Sequence, residues 1–342
     1  MPTEYHKKVI LPVPTANLTD FPVCIKVVAD TDIGAVCRED GFDIHFKAGN
    51  GVTELKFERE SFAVAAGAAT GIFWVKTNVS TAGTFIFLCY GANTTDSSDA
   101  QNTWDSGFKA VYHMNDATTS TILDSTANNN DGTKKGANEP IEATGKIGMG
   151  QDFDGADDAI AALTSTSLDF AGDFTLECWV KTTQAGIPTG GFIARMDGSY
   201  LRGYWLKLSS DKARFLARDG TTNGALPSIA SINNDVWRHV VGRKTASTLE
   251  IYIDGILNNS ISIAIGAITL VEPLRLGRHS LPGEGYYDGL VDEVRISSIA
   301  RSAEWIAYEY ANMNPAGGGL TWGAQEIKNV MGSISTGLWL GV

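Results

Sequence analysis

Apolar and polar residues alternate along most of this chain, most clearly from Leu249 onward. Leu249, Ile251 and Ile253 interleave with Glu250 and Tyr252, the period of two expected of a strand with one buried face. Asp254-Gly255 follows at once. A type I′ turn needs positive φ at both central residues, which Asp-Gly tolerates. Ile261 and Ile263 mark a return strand, and 273–278 and 289–297 mark two more. Strands with a single apolar face need a second sheet over it, so the pattern predicts stacked β-sheets.

The same pattern divides the chain. In residues 1–104, Lys8 to Leu11 begin a first strand, Val23, Ile25 and Val27 share one face of a second, and Phe42, Ile44 and Phe46 share one face of a third. Residues 55–60 start the same way, and 72–76 and 84–90 are apolar enough for central strands. Short strands at this spacing predict a small β-sandwich. Residues 92–103 are polar, rich in turn formers and without an apolar period, which predicts a linker.

Residues 105–313 predict a second sandwich, with strands near 110–114, 174–182, 192–196, 203–208, 213–218 and 236–243 before the hairpin. One short helix closes it. Ser302 is its cap, Glu304 lies in its first turn, and Trp305, Ile306 and Tyr310 form its apolar stripe. Residues 314–342 hold a closing strand, 320–326, and an apolar tail, 330–342, with Leu338, Trp339 and Leu340 near its end. Such a tail either folds back on its own domain or docks on a neighbouring subunit. The expected fold is all-β: two β-sandwich domains and one short C-terminal helix.

The order of these segments resembles the laminin-G-like jelly-roll modules of the concanavalin A-like lectin/glucanase superfamily. The matching stretches are FDGADDAI (153–160), FTLECWVKT (174–182), WRHVVGRK (237–244), IYIDG (251–255), LRLG (274–277) and GLVDEVRIS (289–297). The resemblance runs from about Phe108 to Met313. The first half resembles a β-domain family of unknown function that often precedes such modules in bacterial, archaeal and phage proteins. Its stretches are EYHKKVIL (4–11), LTDFPVCIKV (18–27), DGFDIHF (40–46), GIFWVKT (71–77) and FLCYGAN (87–93). Together they imply a concanavalin A-like jelly roll with a binding or architectural role.

Composition narrows the partners. A net charge of -12 argues against nucleic acid or an anionic membrane, which both want basic patches. Gly 37 against Pro 10 suits many tight turns. None of Cys24, Cys37, Cys89 and Cys178 stands in a metal-ligand spacing, so free thiols are expected, with a Cys24–Cys89 bridge as the alternative. The N-terminus carries no secretory apolar region, and no run reaches the roughly 18 apolar residues of a membrane helix. The expectation is a protein that stays in the cytoplasm or leaves the cell by assembly into a particle.

Three chemistries come into view. Calcium wants six to eight oxygens. Asp124, Asn128, Asn130 and Asp131 share one polar loop, Asp152, Asp154, Asp157 and Asp158 a second cluster, and Asp292-Glu293 the closing strand. Asp124, Asp131 and Asp292 are the candidate Ca²⁺ ligands, since related jelly rolls hold calcium near such loops; Asx turns explain the same residues without an ion. A sugar site wants exposed aromatic rings beside amides and carboxylates. Tyr200, Tyr204, Trp205, Tyr286 and Tyr287 are the candidates, with Tyr286-Tyr287 expected to be the exposed pair. Trp205 is also a natural core residue.

Glycoside hydrolysis needs a pair of carboxyls. Glucanases of the superfamily carry two Glu around an Asp in alternate positions. Here Glu250-Ile-Tyr-Ile-Asp254 lacks the second Glu, and the adjacent Asp292 and Glu293 should face opposite sides of a sheet. No nucleophile elbow, zinc-protease, phosphate-loop or dinucleotide motif is present.

The resulting expectation is a non-catalytic protein that binds a glycan, a cell surface or neighbouring subunits. Its most economical home is a phage virion, as a capsid decoration, head fibre or tail-associated protein. A secreted bacterial carbohydrate-binding protein and a divergent glycoside hydrolase are the alternatives.

Overall fold

The computed structural model describes residues 3–92, 95–119, 121–136, 139–186, 190–278, 285–314 and 319–327. Two sandwiches form. The first packs a five-stranded sheet on a three-stranded one, and the second packs an eight-stranded sheet on a seven-stranded one. Asp254 and Gly255 have φ of 54° and 78°, both left-handed as the hairpin turn requires, and Ile253 faces Ile256 across it.

The closing strand, Thr321–Ile327, does not stay with the second sandwich. It pairs antiparallel with Tyr5–Leu11, which pairs on its other side with Thr84–Tyr90. The chain therefore returns to finish the first sheet. The apolar tail, 330–342, lies outside the described residues. Within the predicted linker, residues 95–103 are tied down rather than loose. Arg59 pairs with Asp96 at 2.6 Å, Lys56 pairs with Asp99 at 2.7 Å, and the Asp99 N–H donates to the Phe57 carbonyl at 2.7 Å. All four cysteines are free thiols, three of them buried.

The second sandwich has the interior its alternation predicts. Phe174, Leu176, Cys178 and Val180 of the Phe174–Lys181 strand point into a core with Tyr204, Phe215, Ile251, Val294 and Ile296. Residues of opposite parity, Glu177 and Trp179, should then meet water. They do not. The first sandwich's core continues through Trp104, Phe108, Val111 and Ile147 to Trp179, and on to Trp305, Tyr308 and Met313 of the helix Ala303–Met313.

The helix starts where the sequence predicts, with the Trp305 N–H donating to the Ser302 hydroxyl at 3.1 Å. Phe21 of the first sandwich packs on Trp305 and Tyr308, with ring centroids 4.6 and 5.0 Å apart. The eight-stranded sheet is thus covered on both faces. A fully buried large side chain contributes about 2–3 kcal/mol, so a junction of several such rings holds the sandwiches as one body.

Candidate functional site

The aromatic residues expected to form a sugar platform are dispersed. Tyr204 is fully buried, its ring against Phe170 and Phe174 and its hydroxyl donating to the Leu168 carbonyl at 3.2 Å. Tyr287 is also fully buried, its hydroxyl 3.2 Å from the carbonyls of both Lys181 and Leu290. These two are core residues, since each hydroxyl finds a backbone acceptor inside the sandwich. Trp205 packs outside the core with Ala194, Met196 and Leu216, with Tyr200 beside it and the Lys207 ammonium 3.9 Å from its ring centre. Tyr286 is half-buried and lies apart from that cluster, near Lys135 and Arg278.

The expected calcium ligands do not converge either. Both oxygens of Asp124 are taken: one by the N–H groups of Val111 and Thr126, the other by the Asn130 N–H and the Thr126 hydroxyl. Asp131 accepts the Asp124 N–H at 2.8 Å. Asp292 accepts the N–H groups of Lys146, Ile147 and Glu293 at 2.7, 2.8 and 2.7 Å. Carboxylates that close backbone turns in this way have few lone pairs left for an ion. The acids that do meet near the surface are Asp154, Asp157 and Asp158, within a turn closed by their own hydrogen bonds.

The glycosidase candidates are likewise engaged. Glu250 accepts from Arg243 at 2.8 Å and from the Tyr252 hydroxyl at 2.7 Å. Asp292 and Glu293 do not alternate. Glu293 has φ of 48° and the pairing with Phe174–Lys181 slips there, so a bulge turns both acids to the same face. Burial and the Glu293 charge push the Asp292 carboxyl well above its ordinary range.

That face carries a buried charge network across the sandwich junction. Glu58, Glu60 and Trp74 come from the first sandwich, Glu177, His239, Glu293 and Arg295 from the eight-stranded sheet, and His113 directly follows that sheet's strand Phe108–Tyr112. Glu309 comes from the helix. Trp104 Nε1 donates to Glu58 at 2.7 Å and Trp74 Nε1 to Glu60 at 2.8 Å. Arg295 lies over both indoles, 4.4 Å from the Trp74 centre and 5.0 Å from that of Trp104, donates to Glu293 at 2.7 Å, and is bound to Glu309. His113 sits 2.9 Å from Glu293 and 3.3 Å from Glu58. Burial alone would lower His113, but Glu293, Glu58 and Glu60 hold it well above its ordinary value. Burial raises Glu60 to about 7.

Beside this network a cleft of about 400 Å³ opens to solvent. Trp179, Trp237 and Tyr310 line it with Lys146, Lys181, Arg238, Asp235, Asp254 and Asn314. Its two acids are paired: Asp254 with Arg238 at 2.8 Å and Asp235 with Lys181 at 3.5 Å. Lys146 reaches Asn314 Oδ1 at 3.1 Å and lies 4.4 Å from the Trp179 ring centre. Among the described residues no carboxylate pairs with it. Trp179 Nε1 is buried at the cleft wall with no hydrogen-bond partner. A larger hollow of about 540 Å³ on the first sandwich, lined by Glu4, His45, Glu54 and Lys56, offers no Tyr, Trp or Phe ring. There Glu4 is paired with both His45 and Lys47.

None of the cleft residues stood among the aromatic candidates read from the sequence. The available signal was Glu177 and Trp179 at outward-facing positions of a strand, where a solvated sheet would carry small or polar residues.

Residues 154–307 match a family profile described as the concanavalin A-like lectin/glucanases superfamily. No curated protein matches the sequence significantly. Among solved structures, the binding domain of Paraclostridial Mosquitocidal Protein 1 is similar at 16% identity and a TM-score of 0.49, over 60% of this chain and 52% of that one. Domain 4 of an extracellular arabinanase from Geobacillus stearothermophilus, in complex with arabinotriose, is similar at 20% identity and a TM-score of 0.45, over 58% and 96%. A botulinum neurotoxin type C structure, whose cell entry depends on two ganglioside molecules, is similar at 13% identity and a TM-score of 0.47, over 60% and 51%. The chain thus spans about half the length of the first of these structures.

Proposed function

We propose that this chain, whose residues 154–307 belong to the concanavalin A-like superfamily, is a non-catalytic binding protein that takes an acidic glycan in the cleft beside Trp237. The observation that carries this reading is the cleft's composition. It has partly exposed rings at Trp237 and Tyr310, an amide at Asn314, and in Lys146 a cation that no carboxylate among the described residues pairs with. Rings give sugars a stacking face, and the polar groups around them set orientation. A local positive charge on a protein of net charge -12 favours a carboxylated or sulfated sugar over a neutral one.

Two paired acids supply neither a free proton donor nor a free base, which supports binding over hydrolysis. A place on a virion, among neighbouring subunits, is the finer reading. The acidic charge and the apolar stretch 330–342 of the sequence support it, and a mass-spectrometric inventory of purified particles tests it.

A glycan array, run with and without calcium, tests the binding reading. Acidic glycans are expected to bind in both buffers. Trp237→Ala and Lys146→Ala should each weaken binding about tenfold or more, while Trp205→Ala leaves it unchanged. No signal in either buffer, or loss with Trp205→Ala alone, overturns it. Release of reducing sugar would point to the hydrolase alternative.

A further inference from the structure

Glu177, His239 and Glu309 stand together at the sandwich junction, each offering a ligand atom within 4.8 Å of the others. All three are buried, His239 with 1% of its surface exposed. Neither ring nitrogen of His239 has a hydrogen-bond partner, nor does Glu309 Oε2; Glu177 Oε1 accepts no hydrogen bond, although the Arg295 guanidinium stands 3.6 Å from it. Buried polar atoms are nearly always satisfied, and each orphan costs about 1–3 kcal/mol. Several orphans converging on one point indicate a missing partner that accepts electron pairs from all of them. Within a molecule so acidic, that partner carries positive charge.

We propose that Glu177, His239 and Glu309 bind one divalent transition cation of the zinc type. One imidazole nitrogen and two carboxylate oxygens form a donor set such an ion favours, with bonds of about 2.0–2.2 Å, and three protein ligands leave a further position for water. Ligand atoms around a tetrahedral ion with such bonds lie about 3.4 Å apart, so side-chain shifts of up to about 1.4 Å would close a site whose ligand atoms now stand within 4.8 Å of one another. The surroundings orient the ligands as outer groups do in metal sites. Arg295 holds one Glu309 oxygen and leaves the other open. The His239 backbone N–H donates to Asp254 at 3.0 Å, and its ring packs beside the stacked rings of Trp179 and Tyr310, with centroids 5.2 and 6.3 Å away.

Charge gives a second, independent reason. Glu58, Glu60, Glu177, Asp292, Glu293 and Glu309 are buried at this junction against the two cations Arg295 and His113. The carboxyls outnumber the cations, so a divalent ion reduces an excess that protonation must otherwise remove.

The test uses the full-length protein, stripped with a chelator and refolded with Zn²⁺ alone. It should retain about one equivalent after desalting. Co²⁺ in its place should give visible d–d absorption characteristic of a low-coordinate site. Ca²⁺ should not compete, since three donors fall short of its six to eight oxygens. His239→Gln and Glu309→Gln should each weaken Zn²⁺ retention by about a hundredfold or more, while Glu60→Gln leaves it unchanged. If the variants fail to fold, the Co²⁺ spectrum of the wild type decides. A folded wild type that takes up no Zn²⁺, or uptake indifferent to His239 and Glu309, overturns the proposal. The orphaned atoms would then be served by water and a proton shared between the two carboxyls.

Discussion

Two Glu–His–Glu groups lie at the sandwich junction, with Arg295 touching both, and they are in opposite states. His113 is held by Glu293 at 2.9 Å, with Glu58 and Glu60 also within ion-pair distance, so the carboxylates keep the ring protonated against the opposing effect of burial. His239, equally buried, has no acceptor on either nitrogen, and desolvation pushes it down to about 4. The same three residue types thus give a structural cation in one place and a set of open lone pairs in the other. Residue type does not separate them; the hydrogen-bond partners do.

The comparison breaks most visibly at Arg295. Arg295→Met should leave Glu309 buried without its cation and Glu293 with His113 alone, a loss of about 3–5 kcal/mol, read as a fall in the chemical denaturation midpoint.

A smaller effect follows from pH. The folded-state value of Glu60, about 7, lies above its ordinary value of 4.5. Its contribution to stability is therefore complete below about 4.5 and is lost as pH rises to about 7. His113 is also raised, so its contribution is complete below about 6.5 and is lost as pH rises through its folded value. These two signs agree, while His239, held down to about 4, works against them below about pH 6.5, so the junction should weaken from about pH 6.5 upward. Glu60→Gln should flatten the part between about pH 4.5 and 7. Denaturation midpoints of the wild type and Glu60→Gln at several pH values check this, and a wild-type midpoint that rises relative to the variant's over that window would contradict it.

Much of the frame was legible in the sequence. The period of two placed Leu249, Ile251 and Ile253 on an inner face, Asp254-Gly255 turned the hairpin, and Ser302 capped the helix. What alternation cannot say is what lies over the other face. It assigns Glu177 and Trp179 to a common side without revealing that Trp74, Trp104 and the helix cover it. Asp292-Glu293 misled for a related reason: strict alternation separates neighbours, and the bulge at Glu293 restores them to one side. Tyr204 and Tyr287 looked like rim aromatics because their backbone acceptors come from residues distant in sequence or across a turn. The cleft draws on 146, 179, 237, 254 and 310, segments that only the tertiary fold brings together.

The measurement closest to the central claim is a long-range ¹H–¹⁵N spectrum of the imidazole nitrogens near neutral pH, assigned with His113→Gln and His239→Gln. One ring, His113, should show both nitrogens protonated, while His239 shows a neutral pattern whose shifts change on adding Zn²⁺. A charged His239, or a neutral His113, would contradict the account.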